Sequence, residues 1–261
     1  MAGTKQKTTK PEAEASRGPK VSGSLPLYGE PQAINSITHR DVGVLVGPGD
    51  FQFAAKAPMI QLTVDEFERA SLDYPIVFFG ADRQAYAVTG LEAERNLFVA
   101  EGSYRPDAYV PAYLRRYPFV FARQEGSDTL LLCLDHGSDR VVEAGHPDAV
   151  ALFEGNAPSA LTRQALEFCE NYEAAERRTR VLVDLLLEFE LFEAKQAHYT
   201  APGGTEATLL LEYLTIDRAR LEALDPEQFL RLRTAGALPA IYAQIASQAK
   251  WEALVASNRS A

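Results

Sequence analysis

Thiols, imidazoles and long apolar runs are all scarce in this chain, and each shortage excludes something. The two cysteines, Cys133 and Cys169, have no close spacing and lie in apolar stretches. Small buried thiols are therefore expected, with no disulfide, ligand or nucleophile, and a reducing cytoplasm suits them. No run approaches the ~18 uninterrupted apolar residues that a membrane span needs; Val181 to Phe192 comes nearest and is broken by Asp184, Glu188 and Glu190. The opening MAGTKQKTTKPEAEASRGPK has no apolar h-region and no Arg-rich amphipathic pattern, so neither a secretory signal nor an organelle presequence is expected. There is no glycine-rich phosphate loop, GxSxG elbow or HExxH pair. Basic charge is short as well: 26 Lys and Arg face 36 Asp and Glu, a net −10. Residues 1–24 carry +3, which leaves −13 on the remainder. So acidic a body argues against a nucleic-acid platform, which needs a basic face.

What is present suits one globular domain. Apolar residues make up 46% of the 261, enough for a sizeable core. Residues 1–24, rich in Lys, Thr, Pro and Gly, read as a disordered basic tail, and residues 25–256 as a single domain. Val42 to Val46 reads as a strand ended by Gly47-Pro-Gly49, and Asp50 to Ala54 alternates as a half-buried strand would. Met59 to Leu62 is extended. Thr63-Val-Asp-Glu66 then forms a capping box for a helix that stops before Pro75.

The Tyr74-Pro-Ile-Val-Phe78 segment recurs as Tyr117-Pro-Phe-Val-Phe121. In both places a short helical piece precedes Tyr-Pro, an apolar strand follows, and a polar turn leads to a second strand. Runs apolar at every position imply burial on both faces. The pattern predicts an α+β fold: a mostly antiparallel sheet from two αββ units, a long helix and a helical C-terminal layer. The long helix rests on a 4,3,4,3 spacing from Leu161 through Ala165, Phe168, Tyr172, Ala175, Thr179, Leu182 and Leu186 to Phe189. About 30 helical residues span ~45 Å, with the charged block Glu173 to Arg180 expected on the solvent side. A hairpin with a Pro202-Gly-Gly204 turn follows, then a helix from Asp225 closed by Gly236, and a last helix from Pro239 to about Leu254.

The densest candidate site is Tyr109-Val-Pro-Ala-Tyr113-Leu-Arg115-Arg116-Tyr117. Guanidinium groups offer bidentate forks for a carboxylate or phosphate, and tyrosines supply stacking faces and hydroxyls. The plainer reading has the arginines paired with the acidic body and the tyrosines packed as core. His136 and His146 flank a loop with Asp135, Asp139 and Asp148, but without recognisable ligand spacing no metal and no cofactor are expected. His39 joins the candidates through His39-Arg-Asp41, although a bond to the neighbouring carboxylate explains it without catalysis.

Those residues also carry a likeness. Leu25-Pro-Leu-Tyr28, His39-Arg-Asp41, Asp50-Phe-Gln-Phe-Ala54, Tyr74-Pro-Ile-Val-Phe78, Asn96-Leu-Phe-Val99, Tyr109 to Phe119, Leu132-Cys-Leu-Asp135 and Gly236 to Ala243 resemble the SapC family of bacterial proteins over about residues 25–256. The family is named for an association with the paracrystalline surface layer of some bacteria. Its members look like cytoplasmic-type chains, often encoded beside outer-membrane receptor and peptide- or tryptophan-modifying genes. The resemblance brings no reaction, cofactor or catalytic residue. A peptide-transporter permease subunit of the same name needs apolar spans that this chain lacks. The expectation is thus a cytoplasmic accessory protein that binds a peptide, protein or acidic small ligand through Tyr109, Tyr113, Arg115, Arg116, Tyr117 and His39. The alternatives are an enzyme acting on peptides or amino acids, with His39 or Asp135 as base, and a structural component of a surface layer.

Overall fold

Short apolar runs punctuated by Gly, Pro and Asp build short strands, and long 3.6-period stretches build helices. A computed structural model describes residues 21–22, 25–47, 50–199, 205 and 207–260. In chain order the first elements are β1 (Val21–Ser22), β2 (Pro31–Ala33), β3 (Val42–Leu45), β4 (Met59–Gln61), α1 (Phe67–Ala70), β5 (Ile76–Phe79), β6 (Gln84–Val88), β7 (Val99–Ala100) and β8 (Ser103–Tyr104). Next come α2 (Ala112–Arg115), β9 (Phe119–Gln124), β10 (Leu130–Asp135), β11 (Val141–Glu143), β12 (Ala149–Ala151), β13 (Phe153–Glu154) and β14 (Ala157–Pro158). The long helix α3 (Ala160–Glu188) leads to β15 (Phe192–Tyr199), β16 (Thr208–Ile216), α4 (Arg218–Glu222), α5 (Pro226–Thr234), α6 (Leu238–Ser247) and α7 (Lys250–Ser260). The class is α+β, with antiparallel pairing throughout the described ladders.

The described residues divide into two compact units: those up to Val46 with Pro118–Leu166, and Gly47–Tyr117 with Glu167 onward. In the first unit, β1-β9-β10-β2 form one sheet and β11-β3-β12 another. Ala33, Val120, Ala122 and Cys133 make a buried cluster beneath Leu25, Tyr28 and Leu131. The Tyr28 hydroxyl donates to the Phe119 carbonyl at 2.9 Å. Both cysteines are buried and neither is in a disulfide, and burial pushes the Cys133 thiol up to about 11.

In the second unit the order is β15-β16-β5-β6-β4. Ile76, Val77 and Phe78 are all buried, as a run apolar at every position requires, but Phe79 at the end of the strand is 40% exposed, so burial on both faces stops one residue short. β5 meets β16 at one register position, Leu214 opposite Phe78. Beside it the amide of Gln244, fully buried on α6, takes the place of ladder bonds. It accepts from the Ile216 N–H at 3.2 Å and donates to the Ile76 carbonyl at 2.9 Å. Ser247 accepts from the Ile76 N–H at 3.0 Å.

Several expectations change. Asp50 to Ala54 is not a strand: the Asp50 carboxylate accepts from the Gln52 N–H at 2.8 Å, and a 3-10 turn follows over Gln52–Ala54. A side chain that captures the backbone two residues on displaces the ladder. The two Tyr-Pro hairpins, β5–β6 and β9–β10, form as read, but in separate sheets, and the division between units falls between Tyr117 and Pro118. The final helix is two, α6 and α7, parted where Gln248 turns its amide to the Ile76 carbonyl. On α3 the stripe is buried at Ala165, Tyr172, Ala175, Thr179, Leu182, Leu186 and beyond at Phe189, whereas Glu176 of the charged block is half-buried. Asp225 and Gln228 cap α5 reciprocally, and Gly236 ends it at φ +68°. The tail expected over 1–24 lies outside the described residues except for β1, as does the Pro202-Gly-Gly204 turn.

Candidate functional site

Glu66 organises the Tyr109 to Tyr117 run. It is buried, and one carboxylate oxygen accepts from the N–H and hydroxyl of Thr63, both at 2.9 Å. The other accepts from the Tyr109 hydroxyl at 3.0 Å and the Ala112 N–H at 2.6 Å, at the start of α2. One carboxylate therefore caps one turn and seats the next. The Tyr109 backbone is held at both ends: its N–H donates to Asp73 at 2.8 Å, and its carbonyl accepts from the hydroxyl of Tyr74. Tyr74 is itself bonded to Tyr104 at 2.8 Å. Burial first, then the Glu66 carboxylate, push the Tyr109 hydroxyl up to about 12, against the pull of Arg115.

Neighbours on one helical turn point about 100° apart, and here they part company. Arg115 is exposed; its Nε donates to the Val110 carbonyl at 3.0 Å and its Nη2 to the Tyr109 hydroxyl at 3.1 Å. The guanidinium stands 5.7 Å from the Tyr109 ring centre and 5.4 Å from that of Phe168. Arg116 is buried between rings, 4.4 Å from Tyr113 and 4.2 Å from Tyr172. Tyr113 is buried with its ring edge toward Tyr172, and Tyr117 is buried and stacked on Phe53 at 3.8 Å. Burial pushes the Tyr113 and Tyr172 hydroxyls up, against the charge of Arg116. Burial, then Glu173, also raise the Glu176 carboxyl above its ordinary value; it accepts from the Gln61 amide at 2.6 Å.

His39, the sixth candidate, belongs to the first unit. It is buried, and its Nε2 lies 2.9 Å from Nε2 of His136. Asp135 is taken up by backbone amides, accepting from Gly29 at 3.0 Å, Glu30 at 2.7 Å and Gly137 at 3.1 Å. His146 accepts from the Asp148 N–H at 3.2 Å. Among the described residues no group of three or more His, Cys, Asp and Glu could hold a metal ion.

Hollows lined by described residues of the second unit include the following. One of about 580 Å³ lies where β5 ends beside the β15–β16 arm, lined by Phe79, Gly80, Lys195 and Glu212 among others. One of about 320 Å³ runs past Asp65, Arg178, Leu182 and Pro239, and one of about 230 Å³ is lined by Met59, Leu91, Leu211 and Trp251 among others. None of the three is lined by the Tyr109 to Tyr117 run.

Sequence reasoning passed over Glu66 as a cap and Glu176 as solvent-facing, and did not pair His136 with His39. Only the capping box offered a local sign, and it pointed to Thr63, three residues away, whereas Tyr109 is 43 away. Among the described residues no helix is long and apolar enough to cross a membrane. The family model described as SapC matches residues 34–254. No curated protein and no solved structure matches the chain.

Proposed function

This chain belongs to the SapC family, and from that premise we propose a non-catalytic accessory protein. It acts in the cytoplasm, in a surface-layer or peptide-modification or uptake setting, and recognises a peptide or acidic small ligand through the Tyr109 to Tyr117 segment. The observation that supports this reading is the state of Arg115. Two of its five N–H groups are bonded to Val110 and Tyr109, which fixes the fork in place, and the guanidinium remains exposed. A held, solvent-facing fork suits a carboxylate, since little side-chain freedom is lost on binding. Arg116, Tyr113 and Tyr117 would shape and stiffen the platform from below, in place of touching the ligand.

Titration calorimetry against pooled short peptides tests it. Arg115→Ala is expected to weaken binding about tenfold or more, the loss of a charge-assisted bond, while the melting temperature stays close to wild type. Binding indifferent to Arg115→Ala discards the site. The contact between His39 and His136 favours a second reading, an enzyme on peptides or amino acids, because paired imidazoles can pass a proton. Turnover abolished by His39→Ala in a folded protein would establish that alternative. Export with self-assembly, followed by fractionation, would instead support a surface-layer component.

A further inference from the structure

The pairing of His39 with His136 has a defined direction. The Asn35 N–H donates to Nδ1 of His39 at 3.3 Å, so the ring's own proton sits on Nε2. That N–H is donated to Nε2 of His136, whose proton must then be on Nδ1. The contact thus holds one hydrogen between two facing nitrogens when both rings are neutral. A further proton has two places to go. On Nε2 of His136 it meets the N–H of His39, and on Nδ1 of His39 it meets the N–H of Asn35. The Thr38 hydroxyl, 2.8 Å from Nδ1, can turn to accept there, which leaves the Nε2 contact intact, whereas a proton on each ring sets two cations face to face at 2.9 Å.

We propose that the His39–His136 pair is an acid-released latch, holding the Asn35–Asp41 turn against the end of β10 until both rings carry an added proton and then releasing it. Apart from the Asp41 carbonyl at its end, which accepts from the Ala144 N–H at 3.0 Å, the turn is held by bonds within itself. Asn35 Oδ1 accepts from the N–H groups of Ile37 at 3.0 Å and Thr38 at 2.9 Å, so the turn can swing out without unravelling. Nearby charges do not offer the proton a home. Asp135 faces the amides of Gly29, Glu30 and Gly137. Glu30, Arg40, Asp41 and Asp139 are exposed, and Arg140 is half-buried. Burial, then His136, hold His39 below the ordinary histidine value of 6.5, against an opposing backbone bond at Asn35.

Hydrogen exchange of the full chain, corrected for intrinsic rates, tests the latch. From about pH 7.5 to about pH 5, protection over residues 35–46 and 135–141 is expected to fall about tenfold for each unit separating the folded and unfolded titrations. Protection over β5 and β6 should stay level. His136→Gln keeps an oxygen to accept from His39 and removes the second imidazole, so acid-dependent loss is expected to disappear. Unchanged wild-type protection overturns the latch, as does an acid loss in His136→Gln equal to wild type. Should that variant fail to fold, imidazole nitrogen resonances of the wild type decide. A shared transition coinciding with the loss of protection supports the latch, and two independent titrations overturn it.

Discussion

A guanidinium sandwiched between aromatic rings and another lying open to water differ by one position in the chain. Arg116 is held by Tyr113 and Tyr172, so Arg116→Lys, which replaces a flat delocalised cation with a compact one, is expected to destabilise the fold by about 1–2 kcal/mol in urea unfolding. Glu66 is more demanding. Its oxygens accept from Thr63, Tyr109 and Ala112, all donors. Glu66→Gln turns an amide NH₂ toward one of those donors, and a loss of ~3 kcal/mol is expected by the same measurement. Glu176 acts in the opposite sense. Its folded titration lies above 4.5 because of burial and Glu173, so the unfolded chain gives up the proton first as pH rises. The carboxylate thus weakens the fold at neutral pH, a penalty that fades as pH falls through the folded value toward 4.5. Glu176→Gln should therefore melt higher than wild type at neutral pH, with the difference closing in acid.

Between elements, backbone accounting explains more than propensity. β5 and β16 share one register position, and Gln244 on α6 serves the Ile76 carbonyl and the Ile216 N–H beside it. Gln244→Leu would leave the buried Ile216 N–H without its acceptor and Thr215 without a bonded amide, an expected cost of about 2 kcal/mol read from chemical unfolding. An α6 docked by a glutamine is not legible in a helix's apolar period, because the signal is one polar residue among apolar ones. The hairpins were legible: a Tyr-Pro step, a run apolar at each position and a polar turn specify strand, burial and reversal locally. Their assignment to separate sheets was not, since nothing in either copy names its neighbour. The Asp50 to Ala54 segment shows the reverse failure. Its alternation mimics a strand, yet a local carboxylate-to-amide bond won over the pattern.

At the scale of the molecule, acid acts with opposite signs at two places. The unfolded chain protonates at His39 before the folded one does, so this residue's contribution to stability is present above 6.5 and is lost as pH falls below it. Glu176 gains as pH falls toward 4.5. The wild-type protein should thus lose stability first as pH drops from 7 to about 5, and His39→Gln should flatten that limb in a pH series of urea midpoints. A midpoint curve with no step below neutral would remove His39 from this role.

The sequence alone determined what is set by neighbours along the chain: the α+β class, the 29-residue helix, the caps at Asp225 and Gly236, the buried thiols and the family likeness. Periodicity, capping and composition act within a few residues, so they can be read in order. Tertiary structure decided which of two adjacent arginines meets water, which carboxylate seats Tyr109, which amide bridges β5 to β16, and that two imidazoles 97 positions apart share one hydrogen. Those outcomes depend on groups brought together by burial, where an unmatched donor or acceptor is costly, and no local pattern records which distant partner will answer it.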